Sequence, residues 1–243
     1  MKFLRYLSET VIYANSKELN IIRKAIEEEW KKFNKGKYDR NRTGVNKAMK
    51  VAAKSVTKSI KDLEFDVRVG KGWQTKGYTY ADTPKHFLGM EYSTKEAIDE
   101  WNGDKKYFDS WLDDFMNLVE HELVHIEQFR KILKAKGDIE KVKDVLHDLK
   151  SKSHDVHDDK MVAYLDDHLE IMAHAKKADS ELSHYDKYEL LDMLKKSDVI
   201  DNEIAMESSD FSNYYFYMRD EYPKIWRKFL KYLVMFIQKR KDK

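Results

Sequence analysis

MNLVEHELVHIEQFRKIL occupies residues 116–133 and sits near the middle of the chain. Trp111, Phe115, Leu118, Glu122, His125, Phe129 and Ile132 recur at three- and four-residue steps, the spacing of one helix face. The helix is expected to open near Asp109, where Ser110 and Asp113 form a weak capping box, and to stop at Gly137. Two members of this otherwise apolar face are ionisable. A carboxylate and an imidazole placed there cost free energy unless something compensates them. A metal ion is one compensation and a buried ion pair is the other.

His121 and His125 are four residues apart, so on a helix they differ by roughly 40° and point into one space. Two neutral imidazole nitrogens can bind one Zn²⁺ at about 2.0–2.1 Å. Glu122 lies between them in angle and can act as general base toward a water on the ion, whose pKa zinc lowers toward about 7. HELVH is thus an H-E-x-x-H helix motif with a mechanism behind it. A catalytic zinc needs a third protein ligand and one open position. The extended pattern H-E-x-x-H-x-x-G-x-x-H is not met, because Gln128 and Lys131 stand at its Gly and His positions. A carboxylate from a later helix is the alternative. In YLDDHLEIMAHA, residues 164–175, Glu170 interrupts the apolar pair Leu169 and Ile171, and Ala173 leaves room for close helix packing. Asp166, His168 and His174 are weaker ligand candidates on the same segment.

Around this stretch the chain reads as α+β and mainly α. NSKELNIIRKAIEEEWKKFNKG predicts a helix capped at Asn15 or Ser16 and stopped by Gly36, with Leu19, Ile22, Ile26, Trp30 and Phe33 on one stripe. A second helix carries Val45, Met49, Ala52, Val56 and Ile60. Alternation of Phe65, Val67 and Val69, followed by glycines and then Tyr78 and Tyr80, predicts strand, turn, strand. HFLGMEYS is a third strand and is expected to be the edge bordering the cleft, with Gly89 allowing a substrate backbone to approach. Helices follow over DIEKVKDVLHDLK, MVAYLDDHLEIMAHAKKA and YELLDMLKK. A closing amphipathic helix carries Trp226, Phe229, Leu230, Leu233 and Phe236. SHDVHDD, with His154, Asp155, His157, Asp158 and Asp159, reads as a solvated connector. The expected organisation is an N-terminal helical region over 1–61, a core over 62–180 and a C-terminal helical region over 181–243 packed on it, with one single domain as the alternative.

Composition narrows the classes. Hydrophobic residues at 42% argue against disorder despite the 37% charged fraction. Lys+Arg 46 against Asp+Glu 44 give no global pull toward a polyanion, so no nucleic-acid partner is expected. With no cysteine, disulfides, thiolate-bound metal and thiol catalysis are excluded. No apolar run approaches the ~18 residues a membrane span needs, and the N-terminus lacks a signal-peptide pattern, so a cytoplasmic location is expected.

HELVH followed by a later helix with EIMAHA resembles the gluzincin branch of the zincin metallopeptidases, most of all its small members, some of them phage-encoded. The resemblance covers roughly residues 62–180. It implies a zincin-like domain: a small mixed or antiparallel sheet, an active-site helix and a following glutamate helix. It implies His121, His125 and Glu170 as zinc ligands and Glu122 as general base. It also implies an oxyanion donor, for which Tyr164, Arg219 and Tyr222 are candidates. The chain departs from thermolysin-like members at His174, where an Asp usually follows the ligand Glu by four. Support for a zinc histidine then falls to Asp166 or Asp167. The expected activity is zinc-dependent peptide-bond hydrolysis on a peptide or protein substrate. The alternative is a non-enzymatic zincin-fold structural protein, such as a phage virion component, assembling through its terminal helices. Amide hydrolysis of a non-peptide substrate is a third, weaker reading.

Overall fold

The computed structural model describes residues 12, 14–70, 75–81, 85–154, 165, 167–195 and 207–240. Tyr164, Asp166 and residues 155–159 of the SHDVHDD stretch lie outside them. The chain divides into two compact units, Ala14–Arg130 and the remainder formed by Met1–Tyr13 with Lys131–Lys243. The protein is mainly helical with one small mixed sheet.

In the Ala14–Arg130 unit, helix α1 (Ser16–Asn34) starts where the Asn15 side chain accepts the Lys17 N–H. It ends before Gly36, whose φ of 82° needs a residue without Cβ. Helix α2 (Arg42–Ser59) is capped by Asn41 and buries Val45, Met49, Ala52 and Val56. α1 packs on α2, and α2 packs on the first strand.

Three strands follow: β1 (Leu63–Val69), β2 (Lys76–Tyr80) and β3 (His86–Tyr92). Their order is β1-β3-β2, with β3 parallel to β1 and antiparallel to β2. This corrects two expectations. β1 and β2 do not pair with each other, because β3 inserts between them. β3 is therefore the central strand, not the edge. Its consecutive buried residues Leu88, Gly89 and Met90 suit a strand covered on both faces. Gly89 has a different partner from the one expected. A Cβ there would stand 2.3 Å from the Tyr78 ring, so the space is filled by β2 itself.

Helix α3 (Thr94–Asn102) leads to the long helix α4 (Lys105–Lys136). α4 opens more than one turn before Ser110 because the Asp104 carboxylate accepts the N–H groups of Lys106 and Tyr107 at 2.9 and 3.2 Å. It closes at Gly137, φ 72°. Burial is broader than one stripe: every residue from His121 to Ile126 is buried.

Arg130 fastens this unit. Its guanidinium takes both oxygens of Asp62 at 2.8 and 2.9 Å, both oxygens of Glu18 at 3.0 and 2.8 Å, and Glu127 at 2.6 Å. Burial opposes the Arg130 cation, but Glu18 and Asp62 outweigh it and raise its pKa. Arg130→Ala removes the only partner that any of these contacts gives Glu18, a buried carboxylate. It is expected to lower unfolding stability by about 2–4 kcal/mol in urea titration. A change below about 0.5 kcal/mol would mean that the network is merely surface charge.

In the other unit, helix α5 (Ile139–His154) is followed by α6 (His168–Glu181), α7 (Lys187–Lys195), the short α8 (Ser209–Asn213), a π-helical turn (Tyr214–Met218) and α9 (Pro223–Gln238). α6 begins at His168 because Asp167 is extended and its carboxylate accepts the Leu169 N–H at 2.8 Å. The helix expected across MVAYLDDHLEIMAHAKKA is thus interrupted at Asp167. α9 packs on α6 and α7 and buries Trp226, Phe229, Leu233 and Phe236, the core role expected for that stripe. No described helix is long and apolar enough to cross a membrane.

Candidate metal centre

His121 and His125 stand one turn apart on α4, with ring centroids 5.0 Å apart and planes at 77°. They are 5% and 6% exposed, and Glu122 between them is 6% exposed, so the three polar side chains sit where water is scarce. Gln128, fully buried one turn further on, holds its Oε1 2.9 Å from Nδ1 of His125. An amide oxygen only accepts, so Nδ1 donates, and Nε2 carries the lone pair a metal requires. Gln128 therefore orients the imidazole and fixes its tautomer. Gln128, which breaks the extended sequence pattern, thus gives His125 the kind of partner expected from Asp166 or Asp167; Asp166 lies outside the described residues. Asp167 instead caps α6.

Glu122 is flanked by β2. A Cβ at Gly77 would lie 2.4 Å from Glu122 Cγ and 2.6 Å from its Oε1. Only glycine lets the strand backbone pass this close to the carboxylate. Gly77 faces the Glu122 side of the sheet and pairs with Met90 of β3. The sequence holds a signal for this, a glycine inside a strand, but the same signal pointed to Gly89.

Glu170 lies in the first turn of α6. His174, one turn on, places Nε2 4.0 Å from Glu170 Oε2 and Nδ1 2.8 Å from Asp210 Oδ1. Lys177 meets the other oxygen of Asp210 at 2.9 Å and Glu181 at 3.4 Å. Burial works against the Lys177 ammonium, yet Asp210 and Glu181 prevail and hold its pKa above the ordinary value. Asp210 belongs to α8, a short element that gives no periodic signal in the sequence.

One ligand atom from each of His121, His125 and Glu170 lies within 4.8 Å of the others, close enough for the three to hold a metal ion. Two nitrogens and a carboxylate oxygen are a donor set that suits a first-row divalent ion. His174 falls outside this group. Arg219 is held by Asp220 at 2.8 and 3.1 Å and lies over the Tyr215 ring, 4.4 Å from its centroid. Tyr222 occupies the N-cap position of α9.

Comparison with protein-family models, curated proteins and solved structures finds no match for this chain. Any functional reading therefore rests on the side chains.

Proposed function

We propose that the protein is a zinc-dependent metallopeptidase of gluzincin type. The observation that carries this reading is the His121, His125 and Glu170 group, with the Glu122 carboxylate between the two histidines on the same helix. A metal-holding structural site needs the first three residues but gives no reason to bury Glu122 beside them.

In this reading the three side chains bind zinc, and Gln128 keeps His125 in the ligating tautomer. Bound zinc supplies an acidified water and a polarised scissile carbonyl. Glu122 takes the proton from the attacking water and delivers it to the leaving amine. Burial of the group limits competing solvent and strengthens the charge interactions. The oxyanion would be met by Arg219, Tyr222 or Tyr164. The corresponding Ala or Phe variant would lose kcat while keeping KM.

Peptide binding would use β2. Among the described residues β2 is paired only on its β3 side. Its outer edge suits an extended peptide adding as a further strand, with Gly77 bringing that strand against Glu122. Gly77→Ala is then expected to displace the carboxylate and lower kcat/KM by about 10²-fold at unchanged zinc content. Unchanged turnover would remove the strand from the active site.

The test is digestion of a mixed peptide library by the zinc-loaded protein, with and without a chelator, read by mass spectrometry. Cleavage that stops on chelation and returns with zinc is expected. One tightly bound zinc per chain with no cleavage of any peptide would overturn the peptidase reading. It would leave a zincin-like scaffold that binds metal for structure.

A further inference from the structure

The strand that passes Glu122 has a second face. Gly77 lies on the carboxylate side, and side chains alternate along a strand, so Tyr78 and Tyr80 belong to faces set by parity: both lie on the side away from Glu122. There the register pairs Tyr78 with Gly89 and Tyr80 with Phe87. Gly89 has no Cβ, so the Tyr78 ring lies down over β3; a Cβ there would stand 2.3 Å from Tyr78 Cζ. Arg68 of β1 donates to the Tyr78 hydroxyl, and its guanidinium lies over the ring, 5.0 Å from the centroid. The rings of Tyr78, Tyr80 and Phe87 meet pairwise, with centroids 5.8, 5.9 and 5.6 Å apart. Tyr78 and Phe87 are half-buried, whereas Tyr80 is 58% exposed.

These rings stand along the open edge of β2. Among the described residues that edge is unpaired, and Phe87 and Tyr78 hold the Tyr80 ring in place from the β3 side. Side chains directly opposite each other on paired strands lie about 4.5–5.5 Å apart and interact. A strand added beside β2 would therefore set alternate side chains against Tyr78 and Tyr80. The charged groups of this face that belong to β1, Glu64, Asp66 and Arg68, are two strands away from that edge. An apolar or aromatic side chain gains from packing on the rings, and a small polar one gains little.

We propose that Tyr78 and Tyr80, backed by Phe87, determine the substrate class: peptides with large apolar or aromatic side chains at two positions, two residues apart, on one side of the cut bond. This rests on the reading of the protein as a metallopeptidase whose substrate adds to β2. The spacing follows from the strand. Glu122 lies beside Gly77, and Tyr78 and Tyr80 are one and three residues further on, about 3 and 10 Å. The substrate residues opposite these tyrosines both turn to the aromatic face, and the one between them turns to the Glu122 face. Either direction of the added strand puts both positions on the same side of the bond.

The zinc-loaded full chain digests a mixed peptide library, and the cut sites are aligned. Large apolar or aromatic residues are expected to be enriched about 2–10-fold at each of two positions two residues apart. Tyr80→Ser is expected to flatten the position farther from the cut while the urea midpoint stays as in the wild type, because the ring is largely exposed. No such pair of positions, or a profile that Tyr80→Ser leaves unchanged, overturns the proposal. A second arm does not need turnover. Zinc-loaded Glu122→Gln is titrated into two fluorescein-labelled peptides, one with Phe-X-Phe in a Ser and Gly background and one with Ser-X-Ser, and anisotropy reads the affinity. The Phe-X-Phe peptide is expected to bind more tightly by about 2–10-fold per Phe, and adding Tyr80→Ser is expected to remove one of these factors. Absence of cleavage of any peptide by the wild type sinks the peptidase reading, and the binding arm then judges this surface alone. Phe-X-Phe selectivity that Tyr80→Ser reduces supports it; equal or absent binding of the two peptides overturns it.

Discussion

Glu122→Gln is expected to keep its zinc and lose nearly all peptidase activity. The side chain is not one of the three close-set ligand candidates, so the metal content should remain one per chain. Glutamine is nearly isosteric with glutamate, so the approach of Gly77 is undisturbed and the fold should be retained. What is lost is the ability to accept a proton. General-base removal costs about 10²–10⁴ in rate, or roughly 3–5 kcal/mol of transition-state stabilisation. The loss should fall on kcat, because a proton moves only in the chemical step. Steady-state kinetics on any peptide cleaved by the wild type, with zinc measured on the same samples, decides this. Equal turnover by the two proteins would remove Glu122 from the mechanism, whatever binds the metal.

Glu170→Ala is expected to produce the largest change in zinc affinity outside the two histidines. It leaves two imidazoles on one helix turn, a pair that cannot close a structural or catalytic zinc site. The loss should exceed the ~10–100-fold that removing an outer partner of a ligand costs. Competition with a chromophoric chelator measures the wild type and the variant on one scale. Zinc affinity equal to the wild type would make Glu170 a bystander and pass the third position to another carboxylate. The same variant should also lose activity, but affinity is the sharper readout because it does not depend on knowing the substrate.

The helices around the candidate site were legible because burial leaves a periodic trace. Asn15 and Gly36 bound α1 as the sequence implies, and Val45, Met49, Ala52 and Val56 fall on the buried side of α2. His121, Glu122 and His125 could be singled out because spacing on a helix is itself geometry. Strand order was not legible. HFLGMEY looked like an edge, yet pairing with β1 on one side and β2 on the other makes it central. Nothing in a strand's own sequence names its neighbours, and alternation reports faces rather than edges. The start of α4 was missed for a local reason: Asp104 caps it as well as Ser110 could, and a capping box gives only a candidate.

The sequence by itself determined the helical frame, the absence of thiol chemistry, and the pairing of two imidazoles with a carboxylate on one turn. These follow from composition and from the 3.6-residue repeat, which act within about a turn of each residue. Tertiary structure alone decided that Gln128 serves His125, that Gly77 rather than Gly89 brings a strand against the site, and that Asp210 orients His174. Each depends on which side chain a fold brings to within about 3 Å, and hydrogen bonds and close approaches at that range are set by packing between elements rather than by local periodicity.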